Sequence, residues 1–186
     1  GGRAIADILF GDINPTGKLP ITLPKSINQL PDYYDYSMNK RTYKFMDDKP
    51  LYPFGYGLSY SKIKYSEISM SSPIFTDDKE NIAQITLTNM SDYKTEEVVQ
   101  LYVRDLDAVF RVPNSTLKGV KRIKLNAGET KTVKFKIDKK ILQFVNNDGN
   151  SVFDAGLFEI SIGNSSPGPR SLELGANISR LSFTVN

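Results

Sequence analysis

The stretch Ile82-Ala-Gln-Ile-Thr-Leu-Thr-Asn89 alternates apolar and polar residues, so that Ala83, Ile85 and Leu87 fall on one side of an extended chain. Successive side chains of a β-strand point to opposite faces, and this alternation therefore predicts a strand with one buried face. Four further runs have the same period, with inward sets Val99, Leu101 and Val103; Val133, Phe135 and Ile137; Phe158, Ile160 and Ile162; and Leu181, Phe183 and Val185. The runs Leu117–Leu125 and Ile141–Val145 complete a set of about seven predicted strands.

Turn residues separate these runs, at Asn126–Glu129 and at Asn146–Asn150. About seven short antiparallel strands with such turns predict an immunoglobulin-like sandwich, which we place at residues 66–186. Because the sequence has no Cys, the core has no disulfide and resembles that of fibronectin type III modules rather than that of antibody domains. The fold class is therefore mostly β.

The first 65 residues have a different character, with eight of the ten Tyr of the chain. Ile5, Ile8 and Leu9 form one apolar face of a predicted helix, and Lys18–Thr22 reads as a short strand after a turn. Helix, turn and strand make half of an α/β crossover, so we interpret residues 1–30 as a helix-strand remnant whose sheet partners lie elsewhere. Residues 31–65 show neither the helical nor the strand period of apolar residues, and we interpret them as an aromatic-rich linker.

Composition limits the chemistry available to the chain. Its 186 residues contain no His, no Cys and no Trp, and the formal net charge is +3. Thiol nucleophiles, a Ser-His-Asp triad and thiolate zinc sites are excluded, and we expect neither a cofactor nor a metal. No apolar run is long enough to span a membrane, and the small net charge does not favour nucleic acid as a partner.

Several motifs, in order along the chain, resemble glycoside hydrolase family three. They are residues 2–24, Leu51-Tyr-Pro-Phe-Gly-Tyr-Gly-Leu-Ser-Tyr60, Glu96-Glu-Val-Val-Gln-Leu-Tyr-Val-Arg-Asp105, Leu117–Leu125, Ala127-Gly-Glu129 and Ala155-Gly-Leu-Phe-Glu-Ile-Ser-Ile-Gly-Asn-Ser-Ser166. The first is similar to the end of the family's α/β sandwich domain, the second to its linker, and the others to its C-terminal fibronectin type III-like domain. Arg41-Thr-Tyr-Lys-Phe45 is more similar to the β-xylosidase than to the β-glucosidase branch.

This resemblance implies retaining hydrolysis of β-linked sugars from non-reducing ends, with a carboxylate nucleophile on a TIM barrel and a second carboxyl group as acid/base. A barrel takes about 250 residues, more than the whole chain, so we expect no catalytic residue here. The chain is interpreted as the non-catalytic C-terminal portion of a longer, bacterial, periplasmic or secreted enzyme. Its implied partners are the upstream catalytic domains and, through them, a β-linked oligosaccharide.

The candidate substrate-binding residues lie in the linker: Tyr33, Tyr34, Tyr36, Arg41 and Tyr43. Aromatic rings can pack on sugar rings and Arg can bind sugar hydroxyls, but the same rings could pack against a catalytic domain, an alternative that we favour. The adjacent acids Asp47-Asp48, Asp77-Asp78 and Glu96-Glu97 are not expected to be catalytic, because catalytic carboxylates face each other across a cleft. A carbohydrate-binding or purely structural sandwich is the other hypothesis.

Overall fold

A computed structural model describes residues 1–109, 111–146 and 148–186. Four helices are present in this part of the chain: α1 (Gly2–Leu9), α2 (Thr42–Phe45), α3 (Lys139–Leu142) and α4 (Pro169–Glu173), with a 3-10 turn at Ile27–Gln29. The strands are β1 (Ile63–Tyr65), β2 (Ser69–Met70), β3 (Ile74–Phe75), β4 (Asn81–Asn89), β5 (Thr95–Asp105), β6 (Thr116–Leu125), β7 (Thr130–Ile137), β8 (Phe144–Val145), β9 (Ser151–Val152), β10 (Gly156–Gly163) and β11 (Ile178–Val185).

Two sheets form the predicted sandwich. In the first, β4 pairs along its length with β7, and β1 and β2 pair with successive parts of β4. The second sheet has the order β3-β11-β10-β5-β6. Its pairs are antiparallel except β3 with β11, which is a short parallel pair at the sheet edge. The mostly β, antiparallel prediction is confirmed.

The core lies between the two sheets and consists of the alternating residues that the sequence singled out. Ala83, Ile85 and Leu87 of β4 face Val99 and Leu101 of β5, all of them buried. Burial of one such large side chain stabilises the fold by about 1.5–3 kcal/mol. The strand period of two therefore identified the core face of β4, β5, β7 and β10, and that of β11 apart from the partly buried Leu181.

Two short strands were predicted wrongly. Lys18–Thr22 is not a strand; an isolated bridge lies just after it, between Leu23 and Tyr52. Pro20 interrupts the segment because proline has no backbone N–H to donate to a neighbouring strand. Ile141–Val145 is also not one strand, because the Asp138 side chain caps α3 by accepting from the Ile141 N–H, and only Phe144–Val145 is extended.

The predicted turns are present. Asn126–Glu129 joins β6 to β7, with Gly128 at a φ of +69°. Around residue 146, the Asn146 side chain accepts backbone N–H groups from Asp148 and Asn150. Asn147, which belongs to the same predicted turn, lies outside the described residues. The linker boundaries at 30 and 65 stay predictions, although β1 lies within the predicted linker and pairs with β4.

Candidate functional site

The second half of the linker, residues 43–57, lies on the outer face of the five-stranded sheet; we call it the docked linker. Gln100 and Tyr102 of β5 point outward, yet both are buried beneath it. The Gln100 side-chain amide donates to the Gly55 carbonyl at 3.0 Å. Ser166 N–H donates to the Phe54 carbonyl at 3.0 Å, and the Tyr56 hydroxyl to that of Leu174 at 3.2 Å. The docked linker is thus held between β5 and the loop that carries α4.

Gly55 makes this close approach possible. It has a φ of +76°, a conformation that disfavours residues with a Cβ. A Cβ there would lie 2.1 Å from Gln100 Oε1 and 2.7 Å from the Tyr102 hydroxyl. The side chains of β5 therefore occupy the space that a side chain at residue 55 would need.

Tyr43 belongs to the docked linker. Its ring stacks on Phe54 with centroids 4.3 Å apart and meets the edge of Tyr102 at 5.9 Å. Its hydroxyl accepts the Leu117 N–H of β6 at 3.1 Å. Desolvation raises the pKa of Tyr43 above that of a free phenol. These contacts fix the ring on the sandwich.

The other candidate residues lie in residues 27–41, which we call the aromatic loop and which begin four residues before the predicted linker. Tyr33, Tyr34 and Tyr36 expose 85%, 77% and 87% of their surface. Tyr33 and Tyr34 meet edge to face at 5.3 Å. Tyr33 and Tyr36 line a shallow cleft of about 840 Å³ together with Arg41. The structure therefore brings three of the five candidates together, leaves Tyr34 beside them and places Tyr43 elsewhere.

Arg41 closes the aromatic loop. Its guanidinium donates to the backbone carbonyls of Ser37, at 3.1 Å, and Asp35. The residues on either side, Lys40 and Thr42, have φ values of +57° and +55°. Left-handed conformations at residues with a Cβ persist only where surrounding contacts hold them, and they concentrate at functional sites. Arg41 thus shapes the loop as well as lining the cleft.

A buried ion pair fastens residues 14–23 over the docked linker. Lys18 Nζ lies 3.0 Å from Glu97 Oε1, and the two side chains expose 11% and 7% of their surface. Next to it, Leu19 N–H donates to the Tyr56 carbonyl at 2.9 Å. The Asn14 amide donates to the Ser61 and Thr95 hydroxyls at 2.6 and 2.9 Å. Sequence reasoning missed this pair. In the sequence Glu97 is one of two adjacent acids, and Lys18 comes close to it only in the folded chain.

The adjacent acids do not form catalytic pairs in the described residues. Glu96 pairs with Arg122 at 3.1 Å on the opposite face of β5 from Glu97, as strand alternation requires. Asp77 pairs with Lys139 at 2.6 Å. Among the described residues there is no group of three or more His, Cys, Asp or Glu that could hold a metal ion, and no helix is long and apolar enough to cross a membrane.

Two family models match the chain. The glycosyl hydrolase family 3 C-terminal domain matches residues 1–60, and the fibronectin type III-like domain matches residues 97–166. Their order agrees with the fold described above, in which helical and irregular segments precede the β-sandwich. The molecule is thus of the class formed by the C-terminal segments of glycoside hydrolases.

Curated relatives match over most of the chain. A putative β-xylosidase of Formosa agariphila is 44% identical over 89% of this chain and 22% of its own length. A periplasmic β-glucosidase of Salmonella typhimurium is 41% identical over 88% of this chain and 23% of its own. The chain therefore spans less than a quarter of the length of these relatives.

Solved structures have the same fold. A β-glucosidase from Erythrobacter marinus has a TM-score of 0.80 and 33% identity, covering 100% of this chain and 24% of its own. A β-glucosidase from Listeria innocua in complex with isofagomine has a TM-score of 0.78 and 30% identity, covering 99% of this chain and 26% of its own. The chain belongs to glycoside hydrolase family 3, and its first 60 residues match the model of that family's C-terminal domain.

Proposed function

We propose that the chain is the C-terminal, non-catalytic portion of an exo-acting, retaining β-glycosidase, with β-xylosidase favoured over β-glucosidase, and that it buttresses the catalytic domains. The relatives named for these activities are about four times longer than the match. In the described residues, Glu96 and Glu97 point to opposite faces of β5 and each pairs with a cation, and Asp77 pairs with Lys139. Asp47 and Asp48 lie on a loop. None of these pairs supplies two carboxylates that face each other across a cleft.

The observation that carries this proposal is the unpartnered apolar surface of residues 1–41. Ile5, Leu9 and Phe10 expose 60%, 74% and 85% of their surface, and α1 buries none of its residues. An amphipathic helix is stable only when its apolar face is covered. The occupant that we propose is the upstream α/β domain, whose last helix and following segment would be residues 1–30.

The aromatic loop would face those domains too. We propose Tyr33, Tyr34, Tyr36 and Arg41 as contacts of the loop with either the sugar or a catalytic domain, the two alternatives that the sequence left open. Tyr43 was also a candidate, but its stacking on Phe54 favours a role in docking the linker. Among the described residues, the rings of Tyr33 and Tyr34 contact each other, and all three rings are largely exposed.

A chimera tests the buttressing role. We would replace the matching C-terminal segment of the Formosa agariphila relative with this chain, and assay both proteins on aryl β-xyloside. The chimera should be folded and active, whereas the 186-residue chain alone should not hydrolyse the glycoside. Hydrolysis by the chain alone, or a folded chimera without activity, would contradict the proposal. Thermal unfolding of the chimera distinguishes a misfolded chimera from an inactive one.

The substitutions Tyr33→Ala and Tyr36→Ala, each made in the chimera, distinguish sugar binding from packing against a catalytic domain. If Tyr33 or Tyr36 contacts sugar, its replacement raises KM for the aryl glycoside with little change in thermal stability. If it packs against a catalytic domain, stability falls and KM changes little. Comparison of aryl β-xyloside with aryl β-glucoside in the longer protein that carries the chain tests the preference for xylose.

We also propose a periplasmic or secreted location, which is supported by the relative named as periplasmic. Fractionation of cells that express the longer protein tests it. A polysaccharide-binding sandwich is not favoured, because Tyr102, one of two Tyr in residues 66–186, is buried beneath the docked linker. Slower migration of the chain in a gel that contains xylan or glucan would show that the sandwich binds polysaccharide.

A further inference from the structure

A second cavity, distinct from the cleft of the aromatic loop, lies on the outer face of the five-stranded sheet. Its volume is about 490 Å³, and its walls come from residues 46–50 of the docked linker, the loop 166–172, and strands β5 and β11. This volume falls within the range of small-molecule sites. We call it the arginine pocket, after Arg104, Arg170 and Arg180, which line it.

Two of these arginines have unused guanidinium groups. Arg104 of β5 and Arg180 of β11 lie on the two neighbours of β10, on the face that also carries Tyr102, and both are exposed. Among the described residues neither has an ion pair or a side-chain hydrogen bond, even though Glu159 lies directly across from Arg104. Arg170 differs, since it donates to the Leu51 carbonyl and to Glu173. Arg104 and Arg180 therefore remain available to an oxyanion.

The same pocket also holds unused acceptors. Asp47 and Asp48 line it, and neither carboxylate has a partner among the described residues. The Asn114 amide nitrogen donates to the Met46 carbonyl at 3.3 Å, which leaves its side-chain oxygen as an acceptor. Carboxylate and amide oxygens accept hydrogen bonds from hydroxyl groups. A pocket lined by free acceptors and by two free guanidinium groups suits a ligand that carries hydroxyls as well as a negative charge.

We propose that the arginine pocket binds a saccharide that carries a single carboxylate, with the carboxylate on Arg104 and Arg180 and the sugar hydroxyls on Asp47, Asp48 and Asn114. A dianion such as phosphate is disfavoured, because the two aspartates repel the additional charge. A neutral sugar leaves both guanidinium groups unused. The proposal concerns a site on this chain and does not depend on the catalytic activity of the longer protein.

Calorimetric titration of the 186-residue chain with glucuronate tests the site, with glucose, acetate and inorganic sulfate as the other titrants. Glucuronate should bind at least about tenfold more tightly than glucose or acetate, because only glucuronate engages both sets of groups. Equal binding of acetate or sulfate would show an oxyanion site without sugar recognition, and equal binding of glucose would show that the arginines are not used. Either result would overturn the proposal.

Substitution locates the binding. Arg104→Gln with Arg180→Gln should weaken glucuronate by about tenfold or more while leaving glucose unchanged. Asp47→Asn with Asp48→Asn is the second variant, and it should reduce the advantage of glucuronate over acetate. The matched control is Arg3→Gln on α1, whose side chain is 95% exposed and which does not line the pocket. Glucuronate binding that survives the double arginine substitution would show that the pocket is not the site.

Discussion

The two halves of the linker have the same aromatic character but different structural environments. In the docked linker, Tyr43 and Phe54 stack on each other and Tyr56 is buried. In the aromatic loop, Tyr33, Tyr34 and Tyr36 are almost fully exposed. The docked linker has a glycine, Gly55, that brings its backbone against β5, and residues 14–23 cover it. Aromatic content therefore does not decide burial here; close backbone approach and a fastened neighbouring segment do.

The largest effect should come from the ion pair that fastens residues 14–23. Lys18→Met leaves the buried Glu97 carboxylate without a cation and with only the Val98 N–H as a hydrogen-bond donor, and we expect the free energy of unfolding to fall by about 3–5 kcal/mol. Urea denaturation of the chain measures it. Lys62→Met, an exposed neighbour, should change stability by less than about 0.5 kcal/mol. If the single variant Lys18→Met is as stable as the parent chain, the pair does not hold the docked linker.

The double variant Lys18→Met with Glu97→Leu refines this test. Removal of both charges avoids the unpaired carboxylate, so most of the lost stability should return. A double variant as unstable as Lys18→Met would mean that the cost arises from lost packing of the Lys18 side chain and not from charge.

The next effect concerns the close approach of the docked linker to β5. Gly55→Ala adds a Cβ against Gln100 and Tyr102 at a positive φ, and should cost about 2–4 kcal/mol. Gly128→Ala is the matched control, since Gly128 has a φ of +69° and no atom within 4 Å of a built Cβ. It should cost about 1 kcal/mol, from the backbone alone. Equal losses at both positions would show that contact with β5 adds nothing.

A smaller effect should separate the two groups of tyrosines. Tyr43→Ala removes the stack on Phe54 and the acceptor of the Leu117 N–H, and we expect a loss of about 2 kcal/mol. Tyr34→Ala in the aromatic loop should change the stability of the chain by less than about 0.5 kcal/mol. Thermal unfolding followed by circular dichroism measures both. Similar losses in the two variants would contradict the division of the linker into docked and open halves.

The smallest effect is a loss of stability at alkaline pH. Burial raises the pKa of Tyr102, and burial together with the nearby Glu97 raises that of Tyr65. Above a pH of about 10 the unfolded phenols release protons that the folded ones retain, so stability falls as the pH rises, by at most about 1.4 kcal/mol per pH unit for each tyrosine. Tyr102→Phe should make this decline shallower in urea titrations at several alkaline pH values. An unchanged slope would indicate that Tyr102 becomes accessible before it ionises.

Much of the sandwich was predictable because side chains alternate between the two faces of a strand. This alternation can be recognised in the sequence without knowing which strands pair. Every set of inward residues on β4, β5, β7 and β10 lies in the core. The errors lie at short elements, where a single residue decides: Pro20 prevents a strand and Asp138 caps a helix. The candidate tyrosines were found as a group in the sequence, but no local pattern separates Tyr43 from Tyr33, because the partner of Tyr43 is a residue of β6 distant in sequence.

The amino-acid sequence by itself determined the mostly β class, the core faces of β4, β5, β7 and β10, the family and the absence of thiol and imidazole chemistry. These properties follow from local periodicity, from the order of the motifs and from composition, all of which can be read directly from the sequence. Only the tertiary structure decided which half of the linker is buried, that Lys18 meets Glu97, and that Arg104 and Arg180 share a pocket with Asp47 and Asp48. Such contacts join residues far apart in sequence, so they depend on how the sheets, linker and loops pack and not on the order of neighbouring residues.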